Sequence, residues 1–164
     1  MRKEDYKNLP SLNLPVCDLK IEIEGEELKV YDPVRMKSVV LTPEEYVRQH
    51  FVNWLVRGLG YPMSHIANET TIKVNETRKR CDTVVFNRQG EPLMIVEYKA
   101  PGVSITQDTF DQIVRYNMSL KARYLVVSNG LRHYCCVLDY ENNSYNFIPT
   151  IPPYSDTNKG VGLN

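Results

Sequence analysis

Apolar and polar positions alternate near the start of the chain and later change to a helical spacing. From residue 19 to residue 24 apolar residues alternate with charged ones, and Gly25 separates this stretch from a second apolar one. Strict alternation is typical of a strand with one buried and one solvated face. The pattern predicts a β-hairpin over residues 19–30, followed by a further extended segment over residues 37–41.

The sequence Thr42-Pro43-Glu44-Glu45 predicts the start of the first helix. Thr is a favourable N-cap, Pro fits the first helical position, and Glu45 completes a capping box. Apolar residues recur at helical spacing behind this start, and glycines at 58 and 60 predict the end of the helix. In a helical projection Glu44 shares the apolar stripe, whereas Glu45 lies towards its edge and suits the cap.

Three extended segments follow this helix, over residues 69–74, 82–86 and 93–99. Asn87-Arg88-Gln89-Gly90 separates the second from the third and is a turn sequence, so these two segments should be antiparallel neighbours. The third begins with a nearly unbroken apolar run, which is typical of a strand buried on both faces.

The remaining pattern predicts a second helix and three more strands, over residues 108–120, 124–128, 133–139 and 145–148. This order of elements favours an α/β fold in which helices flank a mixed sheet. We expect residues 1–18 to form an N-terminal arm, residues 19–148 a single domain, and residues 149–164 a flexible tail rich in Pro and Gly.

The composition is that of an ordinary globular protein, with 42% hydrophobic and 24% charged residues in a chain of 164. No apolar stretch approaches the ~20 residues of a membrane helix. The charged start has no apolar segment behind it, so we expect no secretory signal and a cytoplasmic location. The cysteines at 17, 81, 135 and 136 lack the spacing of a zinc site and predict free thiols.

The charges balance, with 20 basic and 20 acidic residues and a formal net charge of zero. Proteins that bind nucleic acids are often basic overall, so this balance argues against such a partner. The local run Arg78-Lys79-Arg80 can still contact phosphate, and carboxylates gathered around a metal ion would offset basic groups elsewhere.

The third extended segment ends unusually, because its apolar run continues into Glu97-Tyr98-Lys99. Alternation places Glu97 and Lys99 on one face and Tyr98 on the other. A carboxylate and an ammonium at the end of a buried strand cost roughly several kcal/mol unless something compensates them. A metal ion would compensate the first, and a coordinated water or a phosphate the second.

A second acid is expected near this strand end. The turn at residues 87–90 brings Asp82 level with Glu97 and Lys99. Two carboxylates that reach one point form an oxygen-rich site suited to Mg²⁺ or Mn²⁺. Such an ion can bind a phosphodiester oxygen and lower the pKa of a water molecule.

The E-x-K spacing alone is weak, since Glu27-Leu28-Lys29 in the polar hairpin matches it too. A salt bridge between strand-end charges explains residues 97–99 equally well when they are considered by themselves. An inward acid on the first helix makes the combination much harder to obtain by chance. The apolar stripe favours Glu44 for this position, and Glu45 stays open as the alternative.

Together these motifs resemble the PD-(D/E)XK nuclease superfamily and, within it, the N-terminal nuclease domain of type I restriction enzyme R subunits. Asp82 with residues 97–99 is similar to the signature, although Cys81 stands where the signature has proline. Residues 44–48 are similar to the family's helical acid and arginine, and residues 111–117 to its Q-x-x-x-Y motif. The resemblance covers residues 30–135 and implies a restriction-endonuclease-like αβββαβ core.

The resemblance also implies a metal-dependent DNA endonuclease with assigned roles. Asp82 and Glu97 would bind Mg²⁺ or Mn²⁺, assisted by the carbonyl of Tyr98. Lys99 would orient or activate the attacking water or stabilise the developing charge, and Glu44 would be an accessory acid.

The Q-x-x-x-Y motif implies a role in DNA binding. Gln112 and Tyr116 lie four residues apart, on one helix face, and would contact the DNA backbone or brace Lys99. The alternative for Tyr116 is ordinary packing on the sheet beside Phe110 and Ile113.

The chain contains no G-x-x-x-x-G-K-[ST] phosphate loop, so we expect no motor for ATP-driven translocation. Expected partners are DNA and, through the resemblance, motor or specificity subunits of a restriction system. The alternative function is a nucleic-acid-binding or scaffolding module that keeps the nuclease fold and cuts nothing. The neutral charge favours that alternative slightly, whereas the clustered acids and Lys99 favour the enzyme.

Overall fold

The structure, a computed structural model, describes residues 1–157. Its helices and strands are β1 Ile21–Glu24, β2 Glu27–Asp32, β3 Lys37–Val40, α1 Pro43–Arg57, β4 Ile66–Val74, β5 Thr77–Phe86, β6 Pro92–Tyr98, α2 Gln107–Asn117, β7 Tyr124–Ser128, β8 His133–Asp139, β9 Ser144–Ile148 and α3 Tyr154–Thr157. The elements expected from the sequence are confirmed. Several boundaries differ: β4 begins at Ile66 rather than at residue 69, and α2 ends at Asn117 rather than at residue 120. Strand β5 begins at Thr77 and therefore includes the basic run at residues 78–80.

The strands form two sheets. One has the order β1-β2-β3, and the other has the order β4-β5-β6-β7-β8-β9. In the larger sheet β6 and β7 are parallel, and the other neighbouring strands are antiparallel. The chain order of α1, three antiparallel strands, α2 and a strand parallel to the third is the expected αβββαβ arrangement.

The centre of the larger sheet is covered on both faces. Every position of β7 is buried, and so is the run from Leu93 to Val96 in β6. On one face Val96 and Tyr98 pack in a cluster with Phe51 of α1. On the other face Ile95 packs in a cluster with residues of α2. The two helices therefore exclude water from both sides of the strand that carries the candidate chemistry.

Helix α1 starts as the sequence predicts, but its capping box is incomplete. The Thr42 side chain accepts a hydrogen bond of 3.0 Å from the backbone N–H of Glu45, which is the N-cap interaction. The side chain of Glu45 does not return this bond, because both of its oxygens accept hydrogen bonds from Arg35, Arg48 and Gln49.

The N-terminal arm and the C-terminal segment both lie on the domain. The backbone N–H of Asn13 donates to the carbonyl of Gly130 at 2.8 Å. Ile151 is buried in the α1-side core, and the Tyr61 hydroxyl donates to the Pro152 carbonyl at 2.7 Å. Residues 149–157 are therefore packed, unlike the flexible tail expected from their composition, and residues 158–164 lie outside the described residues.

The four cysteines are free thiols, as expected. Across residues 1–157 we find no helix with the length and apolar character needed to cross a membrane.

Candidate active site

A cleft of about 670 Å³ lies at the end of the larger sheet, between the N-terminal part of α1 and the strands β4, β5 and β6. It is lined by Arg35, Val39, Val40, Thr42, Glu44, Glu45, Arg48, Glu69, Arg80, Asp82, Glu97, Tyr98 and Lys99. The four residues predicted as catalytic therefore share one cleft, although they come from three separate elements.

The cleft exists because β5 separates from β6 at this end. The ladder between these strands ends at the pair Thr83 and Val96. One residue further on, an Asp82 oxygen accepts the backbone N–H of Tyr98 at 2.9 Å, so a side chain replaces the backbone acceptor. The bonding of β6 to β7 continues, since the Lys99 N–H donates to the Ser128 carbonyl at 2.9 Å. Asp82 and Glu97 therefore come level, as the turn predicted.

The carboxyl groups of Asp82 and Glu97 interact strongly. Burial raises the pKa of Glu97, and the charge and hydrogen bond of neighbouring Asp82 raise it further. A hydrogen bond from Asn117 and the charge of Lys99 lower this pKa, but they do not outweigh the other causes. Two carboxylates held together in this way are costly without a cation, which favours either protonation or a bound metal ion.

Among residues 1–157, no group of three or more His, Cys, Asp or Glu side chains is placed to hold a metal ion. The protein side chains available to an ion here are thus the two acids that the sequence singled out.

Lys99 is half-buried on the cleft wall. Within the part of the chain that the structure describes, its ammonium forms no ion pair with Glu97 or with any other carboxylate. A salt bridge between strand-end charges, the alternative explanation of E-x-K, is therefore not observed. The ammonium is available to a ligand in the cleft.

The inward acid on α1 is Glu45, and the prediction that Glu44 points inward is wrong. Glu44 is exposed at the rim of the cleft, whereas Glu45 is 6% exposed. The Glu45 carboxylate accepts hydrogen bonds from Arg35 at 2.5 Å, from Arg48 at 2.8 Å and from Gln49 at 2.8 Å. These donors compensate its burial, and the projection of a single helix could not reveal that compensation.

Arg48 links the acids of the cleft; the helical motif at residues 44–48 includes it, but the sequence pattern assigned it no role. It is 3% exposed, and its guanidinium contacts Glu45 at 2.8 Å, Glu69 at 2.5 Å and Asp82 at 3.7 Å. The same group lies 5.5 Å from the centroid of the Tyr98 ring. A guanidinium this deeply buried needs carboxylates to compensate its charge. Arg48 therefore holds together acids from three elements, α1, β4 and β5.

Glu69 is an acid of the cleft that the sequence did not identify. It lies opposite Asp82, between the paired residues Asn68 with Thr83 and Thr70 with Cys81. Burial acts to raise the pKa of Glu69, but hydrogen bonds and charges from Arg80 and Arg48 outweigh it and the pKa is lowered. Because two arginines already neutralise Glu69, it is not a free ligand.

The residues predicted to bind DNA lie on the outer face of α2. Gln112 is exposed, and Tyr116 is 46% exposed, so the Tyr116 ring is outside the buried core that contains Phe110. The Lys79 ammonium lies 4.4 Å from the centroid of the Tyr116 ring and donates a hydrogen bond to its carbonyl. Neither Gln112 nor Tyr116 lines the cleft with Lys99. The α2 residue that influences the acids is Asn117, which is buried, donates to the Ile113 carbonyl at 2.9 Å and acts to lower the pKa of Glu97.

With this geometry in place, comparison with known proteins identifies the family. The family model described as the type I restriction enzyme R protein N terminus (HSDR_N) matches residues 43–152. The match covers more than half of the chain, and the protein belongs to this family. The matched range includes α1, the whole larger sheet and α2, and so contains every acid of the cleft.

A match among solved structures is a fragment described as an HsdR subunit of a type I restriction enzyme from Vibrio vulnificus YJ016. The two share 20% sequence identity with a TM-score of 0.47, over 68% of this chain and 24% of that one. This chain therefore spans a minor part of the length of that fragment. A search of the curated proteins found no match.

Proposed function

We propose that this domain is a divalent-metal-dependent endonuclease that hydrolyses DNA phosphodiester bonds within a restriction system. The observation that carries the proposal is that Asp82, Glu97 and Lys99 line one cleft where β5 separates from β6, and that Lys99 has no ion pair with any described residue. Membership of the R protein family supports the restriction context and the choice of DNA as substrate.

The two acids fit Mg²⁺ or Mn²⁺. Burial and the neighbouring Asp82 raise the pKa of Glu97, so the pair carries an unfavourable interaction that a divalent cation would remove. Carboxylate and carbonyl oxygens are the ligands that these hard ions prefer, and the Tyr98 carbonyl would supply the third protein oxygen. When bound, such an ion supplies Lewis-acid activation of the phosphodiester and of a water molecule.

The surrounding side chains would then position the two acids and activate the attacking water. Lys99 would hold the attacking water or stabilise the negative charge that develops on the phosphate oxygens. Arg48 would hold Asp82 from one side of the sheet, and Asn117 would hold Glu97 from the other. Glu45 would act through Arg48, because its own oxygens are fully engaged, and exposed Glu44 is left as the candidate accessory acid at the rim.

The test is cleavage of supercoiled plasmid with Mg²⁺ or Mn²⁺ by the wild-type protein and by Lys99→Ala. We expect the wild type to nick or linearise the plasmid and the variant to lose at least about 100-fold in rate, the lower range for a positioned proton-transfer group. Lys7→Ala, which removes an exposed lysine of the N-terminal arm, is the matched control and should cut normally. Equal cutting by the Lys99 variant would reject its catalytic role.

Metal binding is tested separately by thermal melting. An ion at about 100 times its Kd stabilises a protein by about 2.7 kcal/mol, which corresponds to about 5–10 °C in Tm for a domain of this size. Asp82→Asn and Glu97→Gln keep the side-chain shapes and should abolish this rise. A metal-dependent rise without cleavage would favour the alternative, a module that keeps the site but cuts nothing, and no rise together with no cleavage would reject the proposal.

A further inference from the structure

The hairpin formed by β4 and β5 has two different faces. Thr71 pairs with Arg80 and Lys73 with Arg78 across the two strands, so these four side chains share one face. Ile72 lies on the opposite face and packs against the core that contains α2. One side of the hairpin is thus held by the domain, and the other is open to solvent.

The open face is strongly basic. A groove of about 580 Å³ runs along it and is lined by Thr71, Lys73, Arg78 and Arg80, all of them exposed. Among residues 1–157, Lys73 and Arg78 form no salt bridge, and the groove wall includes no carboxylate. In a chain with a net charge of zero, two unpaired cations beside Arg80, which pairs with Glu69, are a local excess that can attract a polyanion.

The basic groove is continuous with the catalytic cleft. Arg80 lines both, and it reaches the cleft acids through its hydrogen bonds to Glu69. Asp82 follows Arg80 by two residues on the same strand, and Arg78 precedes Asp82 by four. At about 3.3 Å per residue, Arg78 lies about 13 Å from Asp82 along β5.

We propose that this open face of the β4–β5 hairpin binds the phosphate backbone of duplex DNA beside the bond to be cut. The inference rests on the proposed function, which places that bond at Asp82. Successive phosphates of one strand rise by about 3.4 Å along the duplex axis, so 13 Å corresponds to about four phosphates. Lysine and arginine on the backbone fix the position of the duplex and read no sequence.

The experiment measures binding of a short fluorescent duplex by anisotropy, with EDTA present so that nothing is cut, at several salt concentrations. The variant Lys73→Gln/Arg78→Gln removes two exposed charges. Each phosphate contact contributes about 0.9 to the slope of log K against log salt, so this slope should fall by about 1.8. At about 0.1 M salt this loss corresponds to binding weakened by up to about 60-fold.

The matched control is Arg88→Gln/Lys121→Gln. It changes the net charge equally but lies at the opposite end of the larger sheet, beside the turn between β5 and β6 and before β7. We expect this variant to bind with the affinity and salt slope of the wild type. Thermal melts of both variants establish that they are folded.

Four outcomes would overturn the inference: no DNA binding by the wild type, wild-type binding by the hairpin variant, an equal loss in the control, or a loss on duplex RNA but not on DNA. Its failure is distinct from failure of the proposed function. A protein that cuts plasmid while the hairpin variant binds DNA normally contradicts only this inference. A protein whose binding depends on the hairpin but that never cuts contradicts only the endonuclease.

Discussion

Replacing Arg48 by methionine should destabilise the domain more than any exposed substitution near the cleft. Methionine has a similar length and no charge, so the change removes the guanidinium with little loss of packing volume. Three acids lose a partner, namely Glu45, Glu69 and Asp82, at the distances of 2.8, 2.5 and 3.7 Å that the guanidinium spans. The perturbation therefore tests whether this buried group holds the acids together.

The expected magnitude follows from burial. Removal of one partner of a buried ion pair costs about 3–5 kcal/mol, because a charge is left without compensation. Glu45 keeps Arg35 and Gln49, and Glu69 keeps Arg80, so we expect the lower end, about 3 kcal/mol. A domain of this size has about 5–15 kcal/mol of stability in all, and the loss corresponds to about 6–12 °C in Tm.

Urea unfolding at neutral pH measures the change, with and without the second substitution Asp82→Asn. Among the described residues Asp82 is the acid whose ion pair is with Arg48 alone. If the cost comes from an unpaired carboxylate, neutralising Asp82 should recover part of it, so the double variant should be more stable than Arg48→Met alone. A loss below about 1 kcal/mol in the single variant, the range of a surface pair, would refute the reasoning. No recovery in the double variant would show that packing rather than charge is responsible.

Two further predictions concern the scaffold. Burial acts to raise the pKa of Asp32, but hydrogen bonds from Asn68 and Arg35 outweigh it and lower the pKa below 3.8. The stability that the ionised Asp32 side chain contributes is therefore present above pH 3.8 and is lost as the pH falls further. Asp32→Asn should therefore flatten the dependence of stability on pH below about 4 in acid unfolding, and an unchanged profile would contradict this assignment. Gly130 has φ +81°, and an added Cβ would lie 2.8 Å from the Leu12 side chain. Gly130→Ala should therefore lower the free energy of unfolding by more than about 1 kcal/mol in urea melts. The double variant Leu12→Ala/Gly130→Ala should recover part of this loss. A neutral Gly130→Ala would mean that the arm does not pack there.

Most of the fold could be predicted from local patterns. The alternation before Gly25, the capping sequence at residue 42 and the turn at residues 87–90 each specify an element by short-range chemistry, and the structure has these elements where expected. The packing of Ile151 could not be predicted, because a single apolar residue among prolines has no periodicity. Its burial depends on a site that the rest of the sheet creates.

Only part of the candidate site could be predicted, because some of its contacts join elements that are distant in the sequence. Asp82, Glu97 and Lys99 could be found because a charge at the end of an apolar strand contradicts the local pattern. The choice between Glu44 and Glu45 depended instead on Arg35 in the loop before β3, which supplies a partner from outside the helix. Interactions between distant elements cannot be recognised from the spacing of apolar and polar residues within either element.

Asp82 also has a structural role, which determines which substitutions this position can accept. One of its oxygens completes the backbone bonding of Tyr98 in the middle of the sheet. An asparagine at this position would still offer that oxygen while giving up the negative charge. Under the proposed function, asparagine would therefore remove the metal-binding charge and keep the architecture, whereas alanine would also leave a main-chain donor unpaired.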